Sequence, residues 1–284
     1  MSRTSLAEQV KRSPPRARLL AIVFLLSAAL GALSAGCGPA PPPSGEGPGH
    51  RPQRLALTPQ EELQVGREAY REVLTKYRGR ILPADSTPVK RARQVTARIV
   101  RAAGIEPLQR EINLRLKGYR FEWEVNVLED RQVNAFCLPG GKIGVYTGMF
   151  RVVEDDDQLA TVLAHEISHA LAHHSSERIA RAEELRGKPG LAAFLLGKAY
   201  DREQEAEADK IGVFLMTFAG YDPHEAVDFW RRMQQLHAGG EPPEILSDHP
   251  SSARRVEAMK DYVRRALAAK RAFDQGRIAP PRDH

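Results

Sequence analysis

Residues 155–174, with the sequence DDDQLATVLAHEISHALAHH, carry the pattern from which the fold is predicted. Three aspartates open the segment, where the positive end of a helix dipole favours negative charge. Apolar residues follow at helical spacing, and His165 and His169 stand four residues apart. Both imidazoles therefore project from one face of a helix, about one turn apart, and can reach a single zinc ion. Glu166 can contact a water on that zinc without being a ligand itself.

A rival pair of histidines occurs in the same segment. His169 and His173 have the same spacing, but no glutamate follows the first of them. The outer two of the three histidines, His165 and His173, are separated by about 12 Å along a helix axis, so all three cannot bind one ion. We therefore predict that His173 and His174 are polar groups at the helix end and not ligands.

The zinc site needs a third donor from elsewhere in the chain. The longer pattern HExxHxxGxxH fails, because Ala172 and Ser175 stand where it requires Gly and His. The best donor lies in the acidic segment 203–209, EQEAEAD, where Glu205 and Asp209 share one face of a second predicted helix. Two histidines and one glutamate leave the fourth zinc position open for water, which is the catalytic arrangement.

The other acidic residues of this segment receive different roles. We expect Asp209 to hold a ligating histidine through its second ring nitrogen. Glu203 and Glu207 point away from Glu205 and are predicted to face solvent. The alternative interpretation is that the segment is only the solvated acidic start of a helix.

The whole chain predicts a mainly helical α+β domain with a small antiparallel sheet beside the HExxH helix. Capping signals and apolar periodicity predict helices over 59–78, 86–104, from 155 onward, and over 202–219, 222–237 and 251–273. Alternating apolar residues predict strands at 123–127, 133–138 and 142–146, the last two joined by a tight turn. Three alternatives stay open for loop 175–200: it covers the cleft, it touches lipid, or it forms an ordinary packed helix.

Charge and cysteine content exclude two classes of protein. The 284 residues have a formal net charge of +6, but residues 1–36 hold five basic side chains against one acidic, which is +4 and leaves +2 for the rest. A body so nearly neutral has no broad electrostatic surface for nucleic acid. The chain has only two cysteines, so it is not a disulfide-dense scaffold, and Cys137 is predicted to be a small buried hydrophobe.

The N-terminus predicts export and a lipid anchor. Arg16 and Arg18 precede the uncharged run 19–35, as in an export signal. The run ends in LSAGC at 33–37, which resembles the lipobox of bacterial lipoproteins, so we expect Cys37 to be lipidated after cleavage. An uncleaved membrane anchor is the alternative. By resemblance to Gram-negative lipoproteins, Gly38 after the cysteine favours the outer membrane, with the body facing the periplasm.

These observations predict four regions. They are a signal peptide at 1–36, the lipidated cysteine with a Pro/Gly-rich tether at 37–54, the catalytic domain at 55–273, and a frayed tail at 274–284. The tether is expected to bury nothing, because it consists mainly of Pro, Gly and polar residues.

Four segments resemble the zinc metallopeptidase family of the CAAX prenyl protease, which includes mitochondrial and bacterial periplasmic quality-control proteases of the gluzincin type. They are LAHEISHALAHH at 163–174, REQEAEADKIG at 202–212, VNAFCLPGGKIGVYTGMF at 133–150 and SDHPSSARR at 247–255. The resemblance implies His165, His169 and Glu205 as ligands of one zinc ion, Glu166 as the catalytic acid/base, and His249 and Arg255 as residues beside the metal.

The hypothesis that follows is a membrane-tethered zinc endopeptidase acting on unfolded or misassembled envelope proteins. Arg255 or protonated His249 would help zinc to stabilise the oxyanion, or His249 would instead fill the fourth zinc position and hold the enzyme shut. The strand at Asn134, Ala135 and Phe136 would form the cleft rim, to which an extended substrate adds as a further strand. The alternatives are a non-catalytic periplasmic chaperone or assembly factor with a zinc site, and a non-peptidase hydrolase. No oligomeric state is predicted.

Overall fold

The computed structural model describes residues 45–46, 48, 51–184, 195, 200–237, 244–249 and 253–277. The predicted signal peptide, the lipidated cysteine, most of the tail and a large part of loop 175–200 lie outside these residues. Within the described part of the chain, no helix combines the length and the apolar character needed to cross a membrane.

The described elements confirm a mainly helical α+β fold. The strands are β1 (Gly45–Glu46), β2 (Pro52–Gln53), β3 (Glu124–Leu128), β4 (Ala135–Leu138) and β5 (Lys142–Tyr146). The helices are α1 (Pro59–Lys76), α2 (Thr87–Ala103), α3 (Glu106–Glu111), α4 (Asp156–Leu171), α5 (His174–Glu184), α6 (Arg202–Phe218), α7 (His224–His237), α8 (Glu244–Asp248) and α9 (Ala253–Asp274). A 3₁₀ turn covers Thr147–Arg151. Helices α3 and α8 were not among the predicted helices, and α5 lies almost entirely in loop 175–200, for which a packed helix was one of the alternatives.

Local capping explains where three of the long helices begin. Thr58 and Glu61 form the capping box that opens α1, as the sequence predicts. The side chain of Asp155 accepts a hydrogen bond from the backbone nitrogen of Gln158 at 2.9 Å and opens α4. Asp201 forms a second capping box at the start of α6. These contacts span at most three residues, which is why sequence alone located the helix starts.

The sheet is mixed, so the prediction of an antiparallel sheet is confirmed for β4 and β5 and is wrong for β3. Its strand order is β3-β5-β4, with β3 parallel to β5 and β4 antiparallel to β5. The predicted tight turn does join β4 to β5, and Gly140 and Gly141 have φ angles of +73° and +86° that favour glycine. The connection from β3 carries the chain to the far edge, so β5 returns into the middle of the sheet.

Helix α4 lies at the centre of the domain. Every residue from Gln158 to Leu171 is buried. Its contact with α6 is the most extensive between any two described elements. At that contact, a Cβ on Gly212 would lie 3.1 Å from the backbone nitrogen of His165, which is closer than an ordinary van der Waals contact. The missing side chain of Gly212 therefore lets α6 approach the HExxH helix.

An N-terminal arm, residues 51–57, packs against the domain, contrary to the prediction that residues up to 54 bury nothing. Gln53 is 3% exposed, and its Nε2 donates to the carbonyl of Ala172 at 2.6 Å. The backbone nitrogen of Leu57 donates to Oγ of Ser176 at 2.9 Å. Polar side chains in a Pro/Gly-rich segment can thus be buried when the folded domain offers them partners.

Candidate active site

Four buried side chains converge where α4 meets α6. One ligand atom from each of His165, His169, Glu205 and His249 lies within 4.8 Å of the other three. Nε2 of His165 is 3.1 Å from Nε2 of His169 and 3.1 Å from Nδ1 of His249. Oε1 of Glu205 is 2.9 Å from Nδ1 of His249 and 3.5 Å from Nε2 of His169. The HExxH pair and the proposed glutamate are therefore brought together by two different helices.

The charges around His165 show that the site favours a cation. Burial lowers the pKa of His165, but Glu205 and the hydrogen bond to Asp209 outweigh burial and raise it to about 9. Nδ1 of His165 lies 3.1 Å from Oδ1 of Asp209, so Nε2 is the nitrogen that faces the other ligand atoms. Burial and the neighbouring His165 hold the pKa of His169 well below its usual range, so this imidazole is neutral and has a lone pair. Two histidines and a carboxylate around a centre that favours positive charge fit zinc.

Glu166 lies beside the cluster and does not share its centre. Its Oε1 is buried without a hydrogen bond and lies 3.3 Å from Nε2 of His249. Burial raises the pKa of Glu166, although His249 and His165 oppose the increase. Glu166 also lines a cavity of about 180 Å³, where a reacting group could meet the carboxylate. A carboxylate with a raised pKa in such a cavity is suited to accepting a proton near neutral pH.

Arg255 supports the two carboxylates of α6. Its Nη1 lies 2.8 Å from Oε2 of Glu205, and its Nη2 donates to Oδ1 of Asp209 at 2.7 Å. The guanidinium also lies over the ring of Trp230, 4.4 Å from the centroid. Burial raises the pKa of Asp209, but Arg255 outweighs burial and lowers it, so the carboxylate is ionised. Arg255 is not among the residues that line the cavity beside Glu166, whereas His249 is.

Two aromatic residues that sequence reasoning missed enclose the histidines. The ring of Tyr200 stacks on His169 with the centroids 3.7 Å apart. Trp230 meets His165 edge to face at 5.6 Å. Neither residue belongs to a motif, and both come from segments distant in sequence from α4, so no local signal announces them. They keep water away from the ring faces and strengthen the electrostatic interactions of the site.

The histidines after the HExxH pair lie just beyond the end of α4, where His174 begins α5, and both are buried. Nδ1 of His173 contacts Oε2 of Glu62 at 3.0 Å. Nδ1 of His174 is 2.8 Å from Nδ1 of His169, and Nε2 of His174 is 3.0 Å from Oε2 of Glu207. Neither histidine belongs to the four-residue cluster.

The prediction that Glu207 faces solvent is wrong, because it is only 7% exposed. Glu203, its partner in that prediction, is exposed. A helical wheel places Glu207 away from the metal-facing side of α6. It cannot show that α5 and its first residue, His174, cover that other side.

The predicted cleft rim lies at one edge of the sheet. Asn134, Ala135 and Phe136 line the cavity together with Glu166, and β4 is an outer strand of the three-stranded sheet. The segment 244–249 is attached to the start of this strand. The nitrogen of Ile245 donates to the carbonyl of Val133 at 3.1 Å, and Nδ2 of Asn134 donates to Asp248 at 2.7 Å. This attachment places His249 at the cluster.

Comparisons with known proteins agree with this geometry. The model of peptidase family M48 matches residues 90–263. The mitochondrial metalloendopeptidase OMA1 of Schizosaccharomyces pombe is 32% identical over 229 residues, which cover 75% of this chain and 64% of the relative. OMA1 of Saccharomyces cerevisiae is also 32% identical, over 72% of this chain and 64% of its own length. The beta-barrel assembly-enhancing protease of Yersinia pestis is 26% identical over 51% of this chain and 35% of its own length. The chain thus spans just under two thirds of the two yeast relatives.

Proposed function

We propose that this chain, which belongs to peptidase family M48, is a membrane-tethered zinc endopeptidase that cleaves unfolded or misassembled envelope proteins. One observation carries the proposal. His165, His169 and Glu205 converge on one centre, and Glu166 stands beside it at a cavity that the edge strand β4 also lines. Peptidases of this family use zinc, and the four-residue group can hold one such ion.

The residues divide the chemistry among them. His165, His169 and Glu205 would hold the zinc ion, which would supply Lewis acidity to the scissile carbonyl and the attacking water. The carboxylate of Glu166 accepts a proton from that water and returns it to the nitrogen of the leaving amine. Arg255 keeps Glu205 and Asp209 ionised and fixes their positions. We therefore assign it a positioning role and no direct contact with the oxyanion. His249, unlike Arg255, lines the cavity and can reach a substrate there.

Replacing the proposed acid/base tests the activity directly. We expect Glu166→Gln to keep its zinc and to lose casein cleavage by a factor of about 10² to 10⁴, because only the proton transfer is removed. Metal content is measured by atomic absorption and cleavage by release of labelled fragments.

The matched control for this experiment is Glu203→Gln, an exposed change on α6, which should alter neither quantity. Cleavage that survives in Glu166→Gln would contradict the proposal. If neither the wild type nor the variant cleaves casein although both hold zinc, the result favours the alternative of a chaperone or assembly factor.

The sheet edge supports binding of an extended substrate. Strand β4 carries Ala135 and Phe136 along the cavity beside Glu166. A peptide added to this edge would gain main-chain hydrogen bonds and little side-chain selectivity, which suits unfolded clients of many sequences.

A proline scan of a cleaved peptide tests this binding mode. Proline has no N–H, so each replacement at a position that pairs with β4 should slow cleavage by about three- to tenfold. Replacement by alanine at the same positions serves as the control and should have a smaller effect. A scan in which proline and alanine peptides are cleaved equally well would rule out strand addition.

The position of His249 supports the latch, one of the two roles proposed for this residue. Its Nδ1 faces the same centre as the other ligand atoms, and its Nε2 faces Glu166. Segment 244–249 also holds the start of the edge strand that a substrate would use. A bound substrate and the docked His249 therefore compete for the same place.

Removing the imidazole distinguishes a latch from an oxyanion stabiliser. If His249 holds the site shut, His249→Ala should raise basal casein cleavage, because a blocking group is lost. Ser247→Ala, an exposed change in the same short helix, is the control and should leave the rate unchanged. A fall in cleavage by His249→Ala eliminates the latch and leaves the oxyanion role, which is commonly worth about 3 to 4 kcal/mol.

The location of the enzyme is inferred from residues 16–37. A basic stretch, an apolar run and the final LSAGC support a lipid on Cys37 and an outer-membrane position facing the periplasm. Two or three acyl chains would give a stable anchor. Partners are then protein substrates and the membrane itself.

Fractionation of cells tests the lipid anchor. Cys37→Ser should move the protein from the membrane fraction to the soluble or unprocessed fraction and abolish labelling by a fatty-acid analogue, since the acceptor thiol is gone. Ser44→Ala in the tether should change neither result. Unchanged membrane attachment of the cysteine variant, with no label on the wild type, would instead support an uncleaved anchor.

A further inference from the structure

A line of buried polar groups runs from the N-terminal arm to the proposed metal centre. Arg51 in the arm donates from Nε to Oε1 of Glu207 at 2.7 Å and from Nη2 to Oε2 at 2.9 Å. The same Nη2 donates to Oε2 of Glu177 at 2.7 Å. One guanidinium thus joins a carboxylate of α6 to a carboxylate of α5. This two-oxygen geometry is among the strongest that an ion pair adopts in proteins.

The carboxylate of Glu207 connects Arg51 to His174, which in turn contacts His169. A carboxylate paired with arginine only accepts hydrogen bonds, so Nε2 of His174 donates to it across 3.0 Å. With its hydrogen on Nε2, the ring of His174 carries a lone pair on Nδ1. That lone pair accepts from Nδ1 of His169 across 2.8 Å. Nε2 of His169 is then the lone-pair nitrogen, and it faces Glu205 and His165.

We propose that Arg51 is a positioning residue for the metal ligand His169, so that docking of the N-terminal arm on α5 and α6 tightens metal binding. The contacts in sequence are Arg51 to Glu207, Glu207 to His174, and His174 to His169. Carboxylates that fix the second nitrogen of a ligating histidine hold both its tautomer and its ring orientation. This inference rests on the proposed function only in taking zinc as the metal.

The coupling requires that the arm can be loosened separately from the domain. Arg51 precedes the rest of the arm, which is held by a few backbone and amide contacts, including those of Gln53 and Leu57. The first four residues of the arm, 51–54, also belong to the Pro/Gly-rich tether defined from the sequence. By thermodynamic linkage, if docking of the arm strengthens zinc binding, zinc binding strengthens docking by the same factor.

Glu177 offers a comparison within the same network. Burial would raise its pKa, but the hydrogen bonds from Arg51 and Gln204 lower it to about 2, so it is ionised. Arg181 also contacts Glu177, at 2.7 Å, and lies on α5. Among the described contacts it does not reach Glu207. Arg181 therefore shares the charge partner of Arg51 without the path to His169.

The test measures zinc affinity of the full chain by competition with a chelator, with Zn²⁺ alone as the probe. Arg51→Gln should weaken zinc binding by about fivefold or more, which is the usual lower range for such coupling. Glu207→Gln should weaken it by about tenfold or more. The double variant should be no more than about twofold weaker than Glu207→Gln, because both changes break one path. Arg181→Gln is the control and should keep the wild-type affinity.

Thermal unfolding without metal shows whether a loss of affinity is merely a loss of stability. Both Arg51→Gln and Arg181→Gln should lower the melting temperature of the metal-free protein, since each removes one guanidinium from Glu177 and one further ion pair, with Glu207 for Arg51 and with Asp201 for Arg181. Equal zinc affinities of Arg51→Gln and the wild type would overturn the proposal. So would an equal weakening of affinity in Arg181→Gln.

Hydrogen exchange of the arm gives a readout that does not depend on catalysis. Zinc should slow amide exchange over residues 51–57 in the wild type, and this effect should shrink in Arg51→Gln. Exchange in the wild type that is the same with and without zinc would overturn the proposal. Casein cleavage distinguishes a failure of the Arg51 proposal from a failure of the proposed function. A protein that binds zinc and cleaves casein, but whose arm exchanges equally with and without zinc, refutes only the role of Arg51. A wild type that binds no zinc refutes both.

Discussion

The close contact of α4 and α6 at Gly212 is the constraint on which the rest of the site depends. A Cβ at this position would stand 3.1 Å from the backbone of His165, so any side chain here would press the two helices apart. Glu205 lies two turns before Gly212 on the same helix, and the close approach brings its carboxylate to both imidazoles of the HExxH pair. The metal centre is therefore a product of helix packing as much as of ligand chemistry.

Burial of charge is the second physical condition. Glu205 and Asp209 are almost completely buried, and isolated charges in such a place are costly. Arg255 compensates part of this cost by contacting both carboxylates. Two negative charges against one positive charge leave an excess, which explains why the pKa of His165 rises in spite of burial. Zinc relieves the same imbalance, so metal and proton compete for this centre.

Much of the candidate site could be predicted because its pattern is local. The spacing of His165 and His169 depends only on the geometry of one helix, and the spacing of Glu205 and Asp209 depends on that of another. The helix starts are also local, since capping side chains such as Asp155 bond backbone groups within three residues. Sequence alone thus determined the main helices, the candidate ligands, and the identity of the residue beside them that can carry a proton.

Only the tertiary structure decided what covers each side of these helices and in which order the strands meet. The mixed sheet follows from the path of the chain between β3 and β5, which strand periodicity does not encode. Tyr200 and Trp230 reach the histidines, and Arg51 reaches Glu207, across distances in sequence at which no periodic signal remains. The chain itself determined which groups are able to bind, whereas folding determined which of them meet, because burial and pairing depend on neighbours brought from distant segments.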